Sequence, residues 1–170
     1  FIVSGAFDSL VDIVRRRLRT RQIGFGTPPD ADAPAAAWLR QARTEDFIQF
    51  GFEPEFIGRL PVRVVLDPLS VEDLEEILRR SEGSVLRQYE ASFQALGIDV
   101  VFTEDGMRAI AEQAARENTG ARGLLTVCER VLRDFKFELP SSPVRQLVVD
   151  RAVVEHPAEQ LQRILKAAAT

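Results

Sequence analysis

Arginine is the residue of this sequence best suited to chemistry, and two short segments place one where it could act. In Thr119-Gly120-Ala121-Arg122-Gly123-Leu124 an arginine stands at the start of a helix. The helix dipole disfavours a cation there, so the placement makes sense if an anion shares the site. In Phe56-Ile57-Gly58-Arg59-Leu60-Pro61 an arginine ends a short helix beside a glycine, which would let a backbone or a ligand come near. The guanidinium is planar and always charged, and its fork of donors matches phosphate oxygens in a way lysine does not. A third segment, Ile23-Gly24-Phe25-Gly26, sets two large apolar side chains in a polar loop, where an isolated soluble domain has no use for them. Each segment has a plain structural alternative. Arg59 could simply complement the C-terminal end of a helix dipole, Arg122 could face solvent from a turn, and the apolar loop could fold back on its own domain. Arginine is also the general choice here, since Lys136 and Lys166 are the only lysines among 22 basic residues. The alanine-rich composition favours codon bias for most of these, on solvated helix faces.

Other chemistries are poorly served. The single Cys128 excludes an internal disulfide and a cysteine zinc site, and His156 is the one histidine. There is no HExxH, CxxC, GxSxG or EF-hand pattern. No two glycines have the Walker A spacing, neither lysine follows such a pair, and no acid follows four apolar strand residues. The chain is expected to hold no metal site and no complete hydrolytic site. The net charge of −4 lacks a basic footprint for nucleic acid, and no apolar run reaches the ~18–20 residues of a membrane span. The first ten residues lack the pattern of a signal peptide. With 45% hydrophobic and 28% charged residues, 170 residues make one globular domain or two small ones.

The elements that must position these segments follow from periodicity. Phe1–Val3 reads as a β-type run, and residues 8–19 as a helix with Leu10, Ile13, Val14 and Leu18 on one face. Residues 20–43, rich in Gly, Pro and small residues, read as loop. Thr44 is expected to cap a short helix to Phe50, Pro54 to open another to Arg59, and residues 62–66 to form a strand. Asp67-Pro68 marks a candidate boundary. Ser70-x-x-Asp73 opens a helix, residues 85–96 form a second stopped by Gly97, and Ile98–Phe102 a short strand. Helices after Thr103 and from Arg122 to Leu139 follow, then a strand at residues 145–149, a short turn at Asp150-x-x-Val153 and a final helix at 158–168.

Taken together and in this order, FIVSGAF at 1–7, IGFG at 23–26, EDFIQFGFEPEFIGRLPV at 45–62, Gln88-Tyr89, NTGARGL at 118–124 and ELPSS at 138–142 resemble the ClpX family of AAA+ unfoldases, over about residues 1–154. The resemblance implies the architecture: α/β plus α+β, mostly helical with short strands. Residues 1–67 would be the C-terminal portion of the AAA+ large ATPase domain, 68–156 the small (lid) domain and 157–170 a helical extension. Walker A, Walker B and the substrate-gripping loop would lie upstream, so the 170-residue chain alone is expected to be inactive as an ATPase. The resemblance further implies that Arg59 matches the arginine finger acting in trans, that Arg122 matches the sensor-2 arginine contacting ATP phosphates, and that Ile23, Gly24 and Phe25 match a loop docking on a ClpP-type peptidase. It implies ATP with Mg2+ in the full-length protein, a hexameric ring of self, unfolded or tagged protein substrates, and a bacterial cytoplasmic setting. A second class of function stays open: a non-hydrolysing adaptor that keeps the lid fold and the docking loop. The sequence departs from the family in five places. Val3-Ser4 stands where the family has Cys-Gly, Ser81–Val85 where it has Pro-Lys-Asn-Ala-Leu, and Leu125 where it has arginine; the loop after IGFG is rich in Pro and Ala, and residues 157–170 have no counterpart. These departures suggest a divergent paralogue.

Overall fold

In the computed structural model, which describes residues 2–20, 33–80 and 83–168, the chain divides between Asp67 and Pro68 into two compact units.

Among the described residues, unit 1 holds four helices: α1 (Asp8–Thr20), α2 (Ala35–Leu39), α3 (Thr44–Phe50) and α4 (Pro54–Gly58). Leu10, Val11 and Val14 of α1 pack against Trp38 of α2 to form its small core. The helix α2 lies inside the stretch that composition reads as loop. Its Ala-Ala-Ala-Trp-Leu run follows Pro34 and supplies Trp38, which is buried against α1, so packing overrides the local breaker signal. A buried ion pair joins α1 to α3. Arg17 Nε donates to Asp46 Oδ1 at 2.7 Å and Arg17 Nη2 to Asp46 Oδ2 at 2.8 Å, while Nη2 also reaches the Gln41 carbonyl at 2.7 Å. The Arg43 N–H donates to Asp46 Oδ2 at 2.7 Å. Burial works to raise the Asp46 pKa, but the Arg17 hydrogen bonds and the Arg43 amide outweigh it, and the carboxyl is held below its ordinary value. Asp46, reaching back to Arg43, therefore caps α3. The expected cap, Thr44, is the first helical residue and accepts instead from Arg63 Nη2 at 2.8 Å.

Two expected strands are absent among the described residues. Ile2 and Val3 are exposed and unpaired. Val62, Val64 and Leu66 are 80%, 74% and 83% exposed along a segment with no ladder partner. A β-pattern without a neighbouring strand to take its N–H and C=O groups does not become a strand.

Unit 2 holds α5 (Val71–Arg80), α6 (Val85–Gln94), β1 (Asp99–Phe102), α7 (Glu104–Arg116), α8 (Arg122–Glu138), a 3-10 turn at Leu139–Ser141, β2 (Gln146–Val149), α9 (Arg151–Glu155) and α10 (Pro157–Ala168). Ser70 and Asp73 form the expected reciprocal cap of α5, with the Ser70 N–H donating to Asp73 Oδ2 at 2.9 Å and the Asp73 N–H to Ser70 Oγ at 3.1 Å. Gly97, at φ +77°, turns the chain after α6 while the Ile98 N–H returns to the Phe93 carbonyl. Strands β1 and β2 pair in parallel, Val100 opposite Leu147 and Val101 opposite Val148. A parallel pair needs a long crossover, and α7 with α8 supplies it. Val100, Leu147 and Val149 face inward onto Phe93, Ile110, Leu124, Leu132 and Phe135, whereas Val101 and Val148 face out. Leu161 of α10 belongs to the same core.

Helix α7 is stitched to the end of β2. Thr103 Oγ1 donates to the Val149 carbonyl and accepts from the Gly106 N–H, at 3.1 and 3.2 Å, and the Thr103 N–H reaches the same carbonyl. A Cβ on Gly106 would stand 2.2 Å from that oxygen, a distance backbone cannot tolerate. Gly106→Ala is expected to cost about 3 kcal/mol, the upper end of ordinary overpacking penalties. The midpoint of urea unfolding followed by circular dichroism measures it, and an unchanged midpoint would disprove the contact.

Candidate functional site

Arg122 is aimed by the turn that precedes it. Asn118 and Gly120 take left-handed backbone conformations, at φ 51° and 62°, which reverse the chain after α7. Asparagine and glycine are the residues that adopt this region at least cost. The first turn of α8 then closes with the Gly123 N–H on the Gly120 carbonyl at 3.0 Å and the Leu124 N–H on Ala121 at 3.2 Å. No side chain caps this end. Gly123 is buried against α7: a Cβ there would meet the Ala114 carbonyl and Thr119 Oγ1, each at 3.0 Å. Every glycine of the segment thus has a conformational or steric duty, and so does Asn118. Arg122 has none. Its side chain is exposed and has no partner among the described residues. Leu124, the next side chain inward, is fully buried and locks the helix start to the core.

Arg59 belongs to unit 1. It is the C-cap residue of α4, with its N–H donating to the Phe56 carbonyl at 3.1 Å. Ile57 anchors the short helix in the interior, and Arg59 itself is exposed with no side-chain partner among the described residues. Space around Gly58 is open, since a Cβ there would touch nothing within 4 Å. Arg87 and Arg163 likewise have no side-chain partner among the described residues, so isolation alone does not single out Arg59 or Arg122. Arg122 is distinguished by a helix start seated where Gly123 closely approaches α7, and Arg59 by its place at the C-terminal end of α4. Other arginines are committed: Arg151 to Glu112 and Glu155, Arg108 to Glu72, Glu75 and Glu112, and Arg130 to Glu117 and Gln113.

Ile23, Gly24 and Phe25 lie outside the described residues. Among the described residues no group of three His, Cys, Asp or Glu side chains could hold a metal ion. Burial pushes the Cys128 thiol up to about 12, which leaves it protonated and inert at neutral pH. Tyr89 donates to Glu129 Oε2, and burial together with that carboxylate raises its pKa. Among the described residues no helix is long and apolar enough to cross a membrane. Sequence reasoning gave Gly123 no packing role and did not single out the aromatic rings around α4. A glycine inside an otherwise good helix was the available signal for the first.

Residues 69–142, most of unit 2, match the family model for the C-terminal, D2-small domain of ClpB protein, and over these residues the fold is that of a small helical AAA+ domain. The chain is 41% identical over 152 residues to the ATP-dependent Clp protease ATP-binding subunit ClpX of Borrelia duttonii (strain Ly), a match covering 89% of this chain and 35% of that protein. The same subunit of Borrelia recurrentis (strain A1) matches equally. That of Treponema denticola is 37% identical over 157 residues, 91% of this chain and 38% of that protein. The chain is similar to these ClpX subunits over about nine-tenths of its own length, and it spans about a third of theirs.

The helix start that carries Arg122 depends on the close α7–α8 approach. Gly123→Ala is expected to lower stability by about 1 kcal/mol, because crowding of the Ala114 carbonyl outweighs the better helix propensity of alanine. Thermal denaturation of the 170-residue chain checks this, and a raised Tm would show that the helices can part without cost.

Proposed function

We propose that this chain is the C-terminal portion of an ATP-dependent Clp unfoldase subunit that works as a hexameric ring and feeds unfolded protein to a ClpP-type peptidase. The observation that carries the reading is the similarity to ClpX subunits over about nine-tenths of the chain, spanning both units. The two arginines support it by their setting, each charged, exposed and without a side-chain partner among the described residues, at the end of a helix. In this reading ATP with Mg2+ binds in the full-length protein. Arg122 contacts the phosphates of the nucleotide held by its own subunit, and Arg59 reaches the nucleotide of a neighbour. Both would supply positive charge where negative charge gathers on the phosphoryl oxygens, the task for which a guanidinium fork is suited. In this reading the magnesium ligands lie outside this chain, and its own contribution at the nucleotide is the two arginine cations. The Ile23-Gly24-Phe25 loop would dock on the peptidase, and six loops on short tethers would sum their weak contacts by avidity.

A finger arginine is worth roughly 10³–10⁵ in turnover. Arg59→Ala in the full-length protein is therefore expected to reduce ATP hydrolysis by about a thousandfold or more, with ATP binding retained. Hydrolysis that survives the change disproves the assignment. Full-length protein that captures the peptidase but binds no ATP would instead support the adaptor function.

Phe25→Ala is expected to abolish capture of the ClpP-type peptidase by the intact ring in a pull-down. Equal capture by the variant removes the docking role.

A further inference from the structure

The position of Arg59 is not explained by the helix that carries it. Helix α4 is a single turn of five residues, far below the length at which a helix holds its own shape. The Arg59 side chain has no hydrogen-bond or ion-pair partner among the described residues, and its backbone hangs from Phe56 through the N–H to carbonyl bond at 3.1 Å. Wherever Phe56 goes, Arg59 follows. Phe56 is 43% exposed, yet its ring is stacked on Phe52 at 5.9 Å and 17°. Phe52 is in turn stacked on Phe50 at 5.8 Å and 18°, and it lies 6.1 Å from both Phe7 and Phe47. Phe7 closes the group with edge contacts to Phe47 and Phe50 at 5.9 and 5.8 Å. The Phe52 N–H donates to the Phe47 carbonyl at 3.0 Å, so the middle ring is fixed by its backbone as well. Arg63 lies over the Phe47 ring at 5.0 Å. All these separations fall within the range where aromatic pairs attract beyond simple burial.

We propose that Phe52 and Phe56 are positioning residues for Arg59: a continuous ladder of rings from Phe7 through Phe50 and Phe52 to Phe56 holds the single-turn helix α4, and through the Phe56 carbonyl it sets where the guanidinium stands. This rests on the reading of Arg59 as the arginine that serves a neighbouring subunit's nucleotide. Ile57 anchors α4 in the interior at one point, and one point leaves a short helix free to rock. The Phe52–Phe56 stack is the second point. A misplacement of about 1 Å at a catalytic group can cost on the order of a hundredfold in rate, so the ladder has a kinetic consequence although none of its rings touches nucleotide.

The experiment uses the full-length protein as an assembled ring and measures ATP binding, ATP turnover and ring assembly for Phe52→Ala, Phe52→Leu, Phe52→Tyr, Arg59→Ala and the Phe52→Ala/Arg59→Ala pair. Phe52→Leu keeps apolar bulk without a ring, and it serves where Phe52→Ala does not assemble. The expected result is a fall in kcat of about tenfold or more for Phe52→Ala and Phe52→Leu, with ATP affinity and assembly unchanged, and recovery of turnover in Phe52→Tyr. The paired variant is expected to be no slower than Arg59→Ala alone, because a positioning effect disappears with the group it positions. Unaltered kcat in Phe52→Leu, or additive losses in the pair, overturns the positioning role. If Arg59→Ala itself leaves turnover intact, the underlying reading of Arg59 fails first, and the two failures are told apart.

Discussion

The rest of unit 2 depends on how closely its backbone elements can approach α7. At the N-terminal end of that helix Gly106 meets the Val149 carbonyl of β2, and near its C-terminal end the Ala114 carbonyl meets Gly123 of α8. In both places a methyl group would occupy space that another chain segment already fills. The consequence reaches the short parallel sheet, because β2 can pair with β1 only where α7 lets its end come in. It also reaches the start of α8, because the helix start that carries Arg122 is seated by the same approach. Packing density in protein interiors leaves little room to relax such contacts.

Unit 1 is organised by a different interaction. Arg17 and Asp46 form a bidentate pair with very little solvent around either side chain, and Asp46 also accepts the Arg43 N–H. Desolvation makes buried charges expensive, and the cost is offset here because Arg17 Nη2 also reaches the Gln41 carbonyl and Asp46 Oδ2 also accepts the Arg43 amide. The pair ties α1 to the start of α3, and the aromatic rings continue the connection to α4. A small apolar core of Leu10, Val11, Val14 and Trp38 is supplemented by one ionic clamp and one ring ladder. By contrast, the ion pairs of α5, α7 and α9, such as Arg79 with Glu75 and Arg151 with Glu112, lie in more solvent and are worth less individually.

Much of unit 2 could be read from residue order. Ser70-x-x-Asp73, Thr103, Gly97 and Asp150 each announce an element boundary through local hydrogen bonding, and the apolar stripes of α7 and α8 follow helical spacing. These signals are legible because the interactions behind them span only a few residues. The strands expected at residues 1–3 and 62–66 show the limit of such reading. Alternating or continuous apolar residues state a preference for a sheet, but a strand exists only with a partner. Helix α2 shows the converse, since Trp38 finds α1 in spite of the surrounding glycines and prolines. Thr44 looked like a cap by composition, and the nearby Asp46 took that role because a carboxylate already held by Arg17 also faces the Arg43 amide.

By itself the sequence determined the family resemblance, the candidate arginines and the chemistry open to them, since charge, residue type and motif order are properties of the chain. Tertiary structure alone decided which glycines are sterically required, that the middle residues of unit 1 are held by an ion pair and a ring ladder, and that the Arg59 and Arg122 side chains stand exposed with no partner among the described residues. Those facts depend on distances between residues far apart in the chain: Gly106 and Val149 become neighbours only after the crossover folds, and Phe7 and Phe52 only when α1 packs beside α3.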